Sequence, residues 1–420
     1  MQLLKVRLFK TKKDFFFFIF TCSLIFSFNI LLEFYNYKQL TKYKTTTIEV
    51  TVQKAYIKTK HKKTYKVLKL QTNKNFTFYT IAKKNLTVTS GDKLKVKIWV
   101  RKLSFYEYLS SAFLFSKVLH VQKSTTLKQQ LNQTIALQHK DKNITRIYEA
   151  LFSATPLPKD LQTSFSNLGV SHLLAISGFH LGVLATVLFF IFKPFYKFLQ
   201  TRFFPYRSYK VDSFIFISII LFFYIYFLNY PPSVLRAYAM LVVGFVLYNR
   251  QIKVVTMQTL FLTILLLLTF FPKLFFSVGF WLSVSGVFYI FLFLKYFKHL
   301  KATTQFFLIP IYVYIAMLPF SLYLFHNFSV FHIFSILQSI LFTLFYPISI
   351  FLHLINHGNL FDTQLQELIA LGQNHTYIPF KKEFLYFYIL TSTLAIYSKK
   401  FFWLSLLFGI FILVYCFLRT

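Results

Sequence analysis

Long, almost uncharged apolar runs recur along this chain, and they constrain it more than any other feature. The first, residues 15–32, reaches the ~18 residues that cross a bilayer as a helix. Similar runs follow at 169–192, 212–228, 233–248, 254–271, 274–294, 305–325, 330–354, 384–395 and 401–418. With 56% hydrophobic and 14% charged residues over 420 positions, the composition is that of a polytopic membrane protein and not of a soluble enzyme. The expected fold class is therefore a polytopic α-helical integral membrane protein with about ten transmembrane helices, carrying one small β domain after the first helix.

Lys5, Arg7, Lys10, Lys12 and Lys13 precede the first run, and the positive-inside rule puts them in the cytoplasm. A basic start and an apolar core also suit a signal peptide, but no small-residue cleavage site follows, so the run reads as a retained anchor. Hydropathy then collapses from 37 to 143. Val, Ile, Thr, Tyr and Phe alternate at 48–55, 65–71, 76–81 and 94–100, with Ser90-Gly91-Asp92 as a turn, which predicts a small antiparallel barrel or sandwich. Residues 38–142 hold 23 Lys and Arg against Glu49, Asp92, Glu107 and Asp141, an excess of 19 within a chain total of +35. An AT-rich coding bias alone can inflate Lys, Tyr and Phe; the sharper reading is a polyanionic partner outside the membrane. Residues 105–121 read as an amphipathic surface helix, 128–143 as a linker and 147–168 as a short helical pair. Basic clusters at Lys193, Lys197, Arg202, Arg207 and Lys210, at Arg250 and Lys253, and at Lys295, Lys298 and Lys301 mark cytoplasmic loops. Residues 356–382 suit an interfacial or re-entrant helix. Cys22 and Cys416 sit in the first and last apolar runs, so no disulfide or CxxC site is expected.

The run that opens at Gly169 is unusual for a span. His172, Ser177 and His180 are polar groups where lipid-facing residues normally stand, and such groups usually face a bundle interior or a water-filled path. Read as one helix, Ala175, Gly178, Gly182 and Ala185 form a small-residue face that admits close helix packing. Ser233, Ala237 and Gly244 repeat the pattern, as do Gly279, Ser283 and Gly286. His172 and His180 would lie about 80° apart around such a helix. No ligand set has metal spacing, so neither metal nor other cofactor is expected. Arg236 follows Pro231-Pro232 in the first turn of its run, where prolines commonly open helices. It either snorkels to the surface or offers a permanent fork of donors to a phosphate.

Three separated motifs carry a family resemblance. Gly169-Val170-Ser171-His172-Leu173-Leu174-Ala175-Ile176-Ser177-Gly178-Phe179-His180, Ser233-Val234-Leu235-Arg236-Ala237 with Met240, and Pro272 followed by Gly279-Phe280-Trp281-Leu282-Ser283 resemble the signatures of the ComEC competence proteins. Trp281 stands where that family usually has Gln. The resemblance implies an inner-membrane channel that takes single-stranded DNA into the cytoplasm during natural transformation, with an oligonucleotide-binding (OB) barrel in the periplasm. It implies three parts: 1–36 as basic cytoplasmic N-terminus and first span, 37–145 as OB-like domain and linker, and 146–420 as the polytopic channel. His172, Ser177, Gly178, His180, Arg236 and Ser283 become candidates for the DNA path. Ala175, Gly182, Ala237, Gly279 and Gly286 become helix-packing positions, and Lys54, Lys58, Lys66, Lys93, Lys95 and Lys97 candidate DNA contacts. Many members end in a metallo-β-lactamase-like domain, and no His-x-His-x-Asp-His pattern occurs here, so a short form without nuclease is expected. The implied partners are single-stranded DNA, membrane lipid, a periplasmic DNA receptor, a separate nuclease and cytoplasmic DNA-handling or motor proteins, since no GxxxxGK[ST] loop is present. Homo-oligomerisation is left open, and no enzymatic activity is expected. Two alternatives use the same residues. Ser177, with His326 or His332 as base, could serve a rhomboid-like intramembrane protease, and the basic exterior could serve a transporter of another anionic polymer or lipid.

Overall fold

A computed structural model of the chain describes residues 9, 11–60, 63–74, 76–83, 86, 88–123, 126–174, 176–250, 254–373 and 376–420. Ala175, Lys253 and the N-terminal Lys5, Arg7 and Lys10 lie outside the described residues. The helices are α1 Lys12–Thr41, α2 Phe105–Ser110, α3 Leu127–Gln138, α4 Lys142–Ser153, α5 Lys159–Asn167, α6 Ser171–Leu174, α7 Gly178–Phe203, α8 Tyr209–Phe227, α9 Pro232–Asn249, α10 Met257–Phe270, α11 Val278–Tyr296, α12 Ala302–Phe325, α13 Ser335–Leu354, α14 Asp362–Leu371, α15 Lys382–Leu394 and α16 Lys399–Arg419. The chain forms two compact units, one from Phe9–Thr134 with Leu265–Val278 and the other from Ile135–Ile264 with Gly279–Thr420.

The first unit is built on strands β1 Thr45–Lys60, β2 Lys63–Thr72, β3 Thr77–Ala82, β4 Lys93–Trp99, β5 Ala112–Phe113 and β6 Ser116–Gln122. Their order is β5-β3-β2-β1-β4-β6. In β4 the alternation is strict: Leu94, Val96 and Ile98 are buried while Lys93, Lys95, Lys97 and Trp99 face out. Val50, Leu68, Leu70, Phe76 and Phe78 complete the core, and each such side chain contributes about 1.5–3 kcal/mol on full burial. Gly91 takes the left-handed backbone (φ +99°) that the tight turn before β4 requires, and Asp92 accepts from Thr89 N at 2.8 Å.

The expected barrel does not close. Segment 112–122 lies parallel to β3 at its start and antiparallel to β4 afterwards, so both sheet edges belong to one stretch of chain. Thr80 and Ser116 hydroxyls meet across that gap at 2.7 Å, but β5 and β6 are not paired with each other. The surface helix expected over 105–121 is confined to α2, capped by Ser104 and Glu107; beyond it, residues 116–122 take up the free edge of β4. The expected linker is also structured, because residues 127–138 form α3.

Within the same unit, α1 meets the Leu265–Val278 segment. Asn29 donates to the Thr269 carbonyl at 2.7 Å, and Glu33 takes the Lys273 ammonium at 2.9 Å and the Tyr108 hydroxyl at 3.0 Å on one oxygen. Burial pulls the Lys273 ammonium below the ordinary lysine range and the Glu33 charge acts against this; burial, then Glu33, pushes the Tyr108 phenol up.

In the helical unit, one core joins Leu181, Ile217, Leu221, Ile225 and Val234 from α7, α8 and α9. Another joins Tyr289, Phe293, Tyr312, Tyr388 and Phe402 from α11, α12, α15 and α16. Two of its buried phenols are satisfied: Tyr289 donates to Ser392 Oγ at 2.9 Å and Tyr388 to the Ala316 carbonyl at 3.0 Å. Among the described residues seven helices, Lys12–Thr41, Gly178–Phe203, Tyr209–Phe227, Val278–Tyr296, Ala302–Phe325, Val330–Leu354 and Lys399–Arg419, are long and apolar enough to cross a membrane, which makes this a membrane protein. Two further expected spans are the shorter helices Ser233–Asn249 and Met257–Phe270, and the run at 384–395 lies in a 13-residue helix. Residues 356–382 hold α14 and a two-residue strand pairing with 327–328.

Candidate functional site

The signature segment is a broken helix, which corrects the reading of residues 169–192 as one span. α6 covers only Ser171–Leu174, and α7 begins at Gly178. His172 and His180 therefore sit on different helices. Ser177 caps α7: its Oγ accepts from Phe179 N at 3.2 Å and lies 3.1 Å from His180 Nδ1, which accepts from Ser177 N at 3.2 Å. This is a capping box with an imidazole in place of the usual Glu or Gln. Because Nδ1 is an acceptor there, the His180 proton sits on Nε2, which is buried with no hydrogen-bond partner between the Phe342 and Tyr346 rings.

Each neighbour of the break is fixed. Gly169 has φ +73°, and a Cβ there would stand 2.7 Å from the His332 ring; His332 itself meets the Tyr314 hydroxyl at 3.1 Å. His172 is exposed, with Nδ1 3.1 Å from the Gly169 carbonyl and Nε2 3.4 Å from Ser339 Oγ. Ser233, at the start of α9, donates to the Ile176 carbonyl inside the break at 2.7 Å. A Cβ on Gly178 would stand 2.9 Å from Ala237 Cβ, so α7 and α9 touch at this pair. These contacts give Ser177 and His332 structural roles; His326 stacks on Tyr377.

Arg236 lies one turn along α9 from Ser233 and is 3% exposed, so it does not snorkel. Its Nη1 donates to the Gly279 carbonyl at 2.6 Å, its Cζ stands 5.4 Å from the Phe280 ring centre, and its Nε is buried with no partner. Among the described residues no carboxylate pairs with it. A Cβ on Gly182 or Gly286 would meet nothing within 4 Å, and Ser283 is exposed, so these members of the small-residue faces front open space instead of a packed helix. A cavity of about 640 Å³ adjoins the break, with Thr155, Gln162, Ser171, Ile176, Ser233 and Asn327 in its wall.

In the β unit, Lys93, Lys95 and Lys97 share the exposed face of β4, with Lys117 opposite Lys97. Lys58 is exposed and Lys54 lies 5.8 Å from the Tyr56 ring centre. Lys66 is engaged, donating to the Leu86 and Val88 carbonyls at 2.9 and 3.2 Å. Trp99, 45% exposed on the lysine face, was not singled out from sequence; its parity with 93, 95 and 97 was the available signal. The cavity wall at 155–166 and a His139–Asp362–His353 cluster were also missed, because each depends on contacts distant in sequence.

A family profile described as "Competence protein" matches residues 154–420. ComE operon protein 3 of Bacillus subtilis (strain 168) is 32% identical over 174 residues, which is 41% of this chain and 21% of that protein. An uncharacterized protein of Aquifex aeolicus (strain VF5) is 30% identical over 145 residues, 34% of this chain and 31% of that one. The chain thus aligns with a third or less of either relative's length. No solved structure matches. With the signature segments inside the matched region and the profile covering more than half of the sequence, the chain belongs to the competence protein family.

Proposed function

We propose that this protein takes part in DNA uptake during competence, as the inner-membrane component through which single-stranded DNA reaches the cytoplasm. The observation that carries this reading is the broken helix at the signature, beside a cavity whose mixed wall includes Thr155, Gln162, Ser171 and Ser233, with a buried arginine lacking a described carboxylate partner one turn along α9 from Ser233. Irregular backbone at membrane depth is tolerated where it is buried in protein or lines a water-filled cavity, and a guanidinium without a counter-ion attracts phosphate. His172, Ser283, Gly182 and Gly286 border the route, while Ser177, His180, Gly178 and Ala237 hold its wall.

In this reading the N-terminus is cytoplasmic, the β unit is periplasmic and of OB type, and residues 146–420 form the conduit. The β1–β4 arrangement, with one strand segment touching both sheet edges, supports the OB assignment. Lys93, Lys95, Lys97 and Lys117 supply phosphate contacts, and Trp99 a stacking surface.

Deleting the gene and measuring labelled DNA entry into periplasm and cytoplasm separately tests this. Loss of the second step alone is expected; equal loss at both steps would move the protein upstream of the inner membrane.

A further inference from the structure

A second polar cluster lies in the helical unit, away from the signature. His139 follows α3 directly and is buried; its Nδ1 lies 2.9 and 3.1 Å from the two carboxylate oxygens of Asp362, the first residue of α14. Its Nε2 lies 3.0 Å from Nε2 of His353 on α13, whose own Nδ1 is 2.6 Å from the Ser349 carbonyl. Tyr148 of α4 stacks on His139 at 4.6 Å and its ring centre is 4.5 Å from that of His353. Beside them, Gln138 donates to the His353 carbonyl at 3.1 Å and accepts from Gly358 N at 3.0 Å.

Counting protons gives a definite result. A carbonyl only accepts, so His353 Nδ1 carries a hydrogen. The Asp362–His139 contact holds one proton, on whichever partner. The two Nε2 atoms would then face each other as bare lone pairs, unless a further proton lies between them. Three contacts thus need three protons, one more than a carboxylate and two neutral imidazoles carry. The cluster then has zero net charge, the state that burial favours. A metal ion fits poorly, because Zn–N bonds of about 2.0–2.1 Å in tetrahedral geometry set two nitrogens roughly 3.3 Å apart, and no three such side chains are placed to hold a metal ion among the described residues.

We propose that Asp362, His139 and His353 form a buried proton-binding site which, when occupied, locks the end of α3 to the segment joining α13 and α14. The other ionisable groups at this joint do not supply the proton. Burial, then the Asp362 charge, holds the Tyr148 phenol neutral, and its hydroxyl has no hydrogen-bond partner. Asp141 accepts from Asn143 N at 2.6 Å and from Gln366 at 3.1 Å. Lys140, Lys142 and His357 are exposed.

The proton joins the two Nε2 atoms, and its loss leaves two lone pairs facing each other, so the folded chain is more stable in the proton-bound form. Thermal unfolding of the full chain in detergent, followed from about pH 6 to about pH 9, should show Tm falling by about 2–4 °C more than in His353→Gln, whose amide donates to His139 without an added proton. Equal slopes overturn the proposal. In wild-type protein with ¹⁵N-labelled histidine, a proton shared between two Nε2 atoms is expected at pH ~6; two bare Nε2 atoms would overturn it whatever the variant does. A Tm raised by added zinc would replace the proton with a metal.

Discussion

A buried arginine in one unit and a partly buried lysine in the other are held in opposite ways. Lys273 has a carboxylate at 2.9 Å, and that carboxylate also takes the Tyr108 hydroxyl, so the charge is cancelled within the fold. Arg236 has a backbone carbonyl, an aromatic face and an unsatisfied Nε, but no described carboxylate. A cancelled charge ties elements together; an uncancelled one remains able to act on an anion. Burying a cation without a counter-ion is costly, and a site that receives phosphate gives that cost a use.

Opposite mutational behaviour should follow. Arg236→Met removes an uncompensated charge, so its effect on stability should stay within about 1 kcal/mol as the lost carbonyl bond and the relieved desolvation offset each other. DNA entry into the cytoplasm should nevertheless fall about tenfold or more, the equivalent of one charge-assisted hydrogen bond. Glu33→Gln takes the counter-ion from Lys273 and should cost about 2–3 kcal/mol, below the figure for a fully buried pair because both side chains are about a fifth exposed. Uptake per folded molecule should be unchanged, as measured against the amount of protein in the membrane. If both substitutions moved the same quantity, the contrast between the two cations would collapse.

Smaller effects sharpen the setting of Arg236. Gly178→Ala drives a methyl group to 2.9 Å from Ala237 Cβ and should destabilise by about 1–3 kcal/mol. Gly182→Ala meets open space and should gain up to about 1 kcal/mol of helix propensity, both read from thermal unfolding. Smallest, replacing Lys93, Lys95 and Lys97 together by Gln should make the log–log salt dependence of single-strand binding shallower by about 2, at roughly 0.7 for each lost phosphate contact.

Much of this was legible in sequence where the signal is local. The alternation of 93–99 gave β4, Ser90-Gly91-Asp92 gave its turn, and Pro231-Pro232 marked the start of α9. The break at 176–177 is not legible to hydropathy, which averages over Ser177; Ser-Gly-x-His is a cap only once His180 is seen to reach back. The edge strand at 116–122 and helix 127–138 were misassigned because neighbouring elements, and not their own periodicity, decide them. The motif around Arg236 is legible in the sequence, but the burial of this side chain against Gly279 and Phe280 required the fold.

The most direct test of the central claim measures labelled DNA reaching the cytoplasm in cells carrying Arg236→Met or Arg236→Lys at matched membrane abundance. The expected result is loss of cytoplasmic entry in Arg236→Met with periplasmic entry intact, and partial entry in Arg236→Lys, which keeps the charge without the fork. Cytoplasmic entry in Arg236→Met equal to that of the parent would contradict the account.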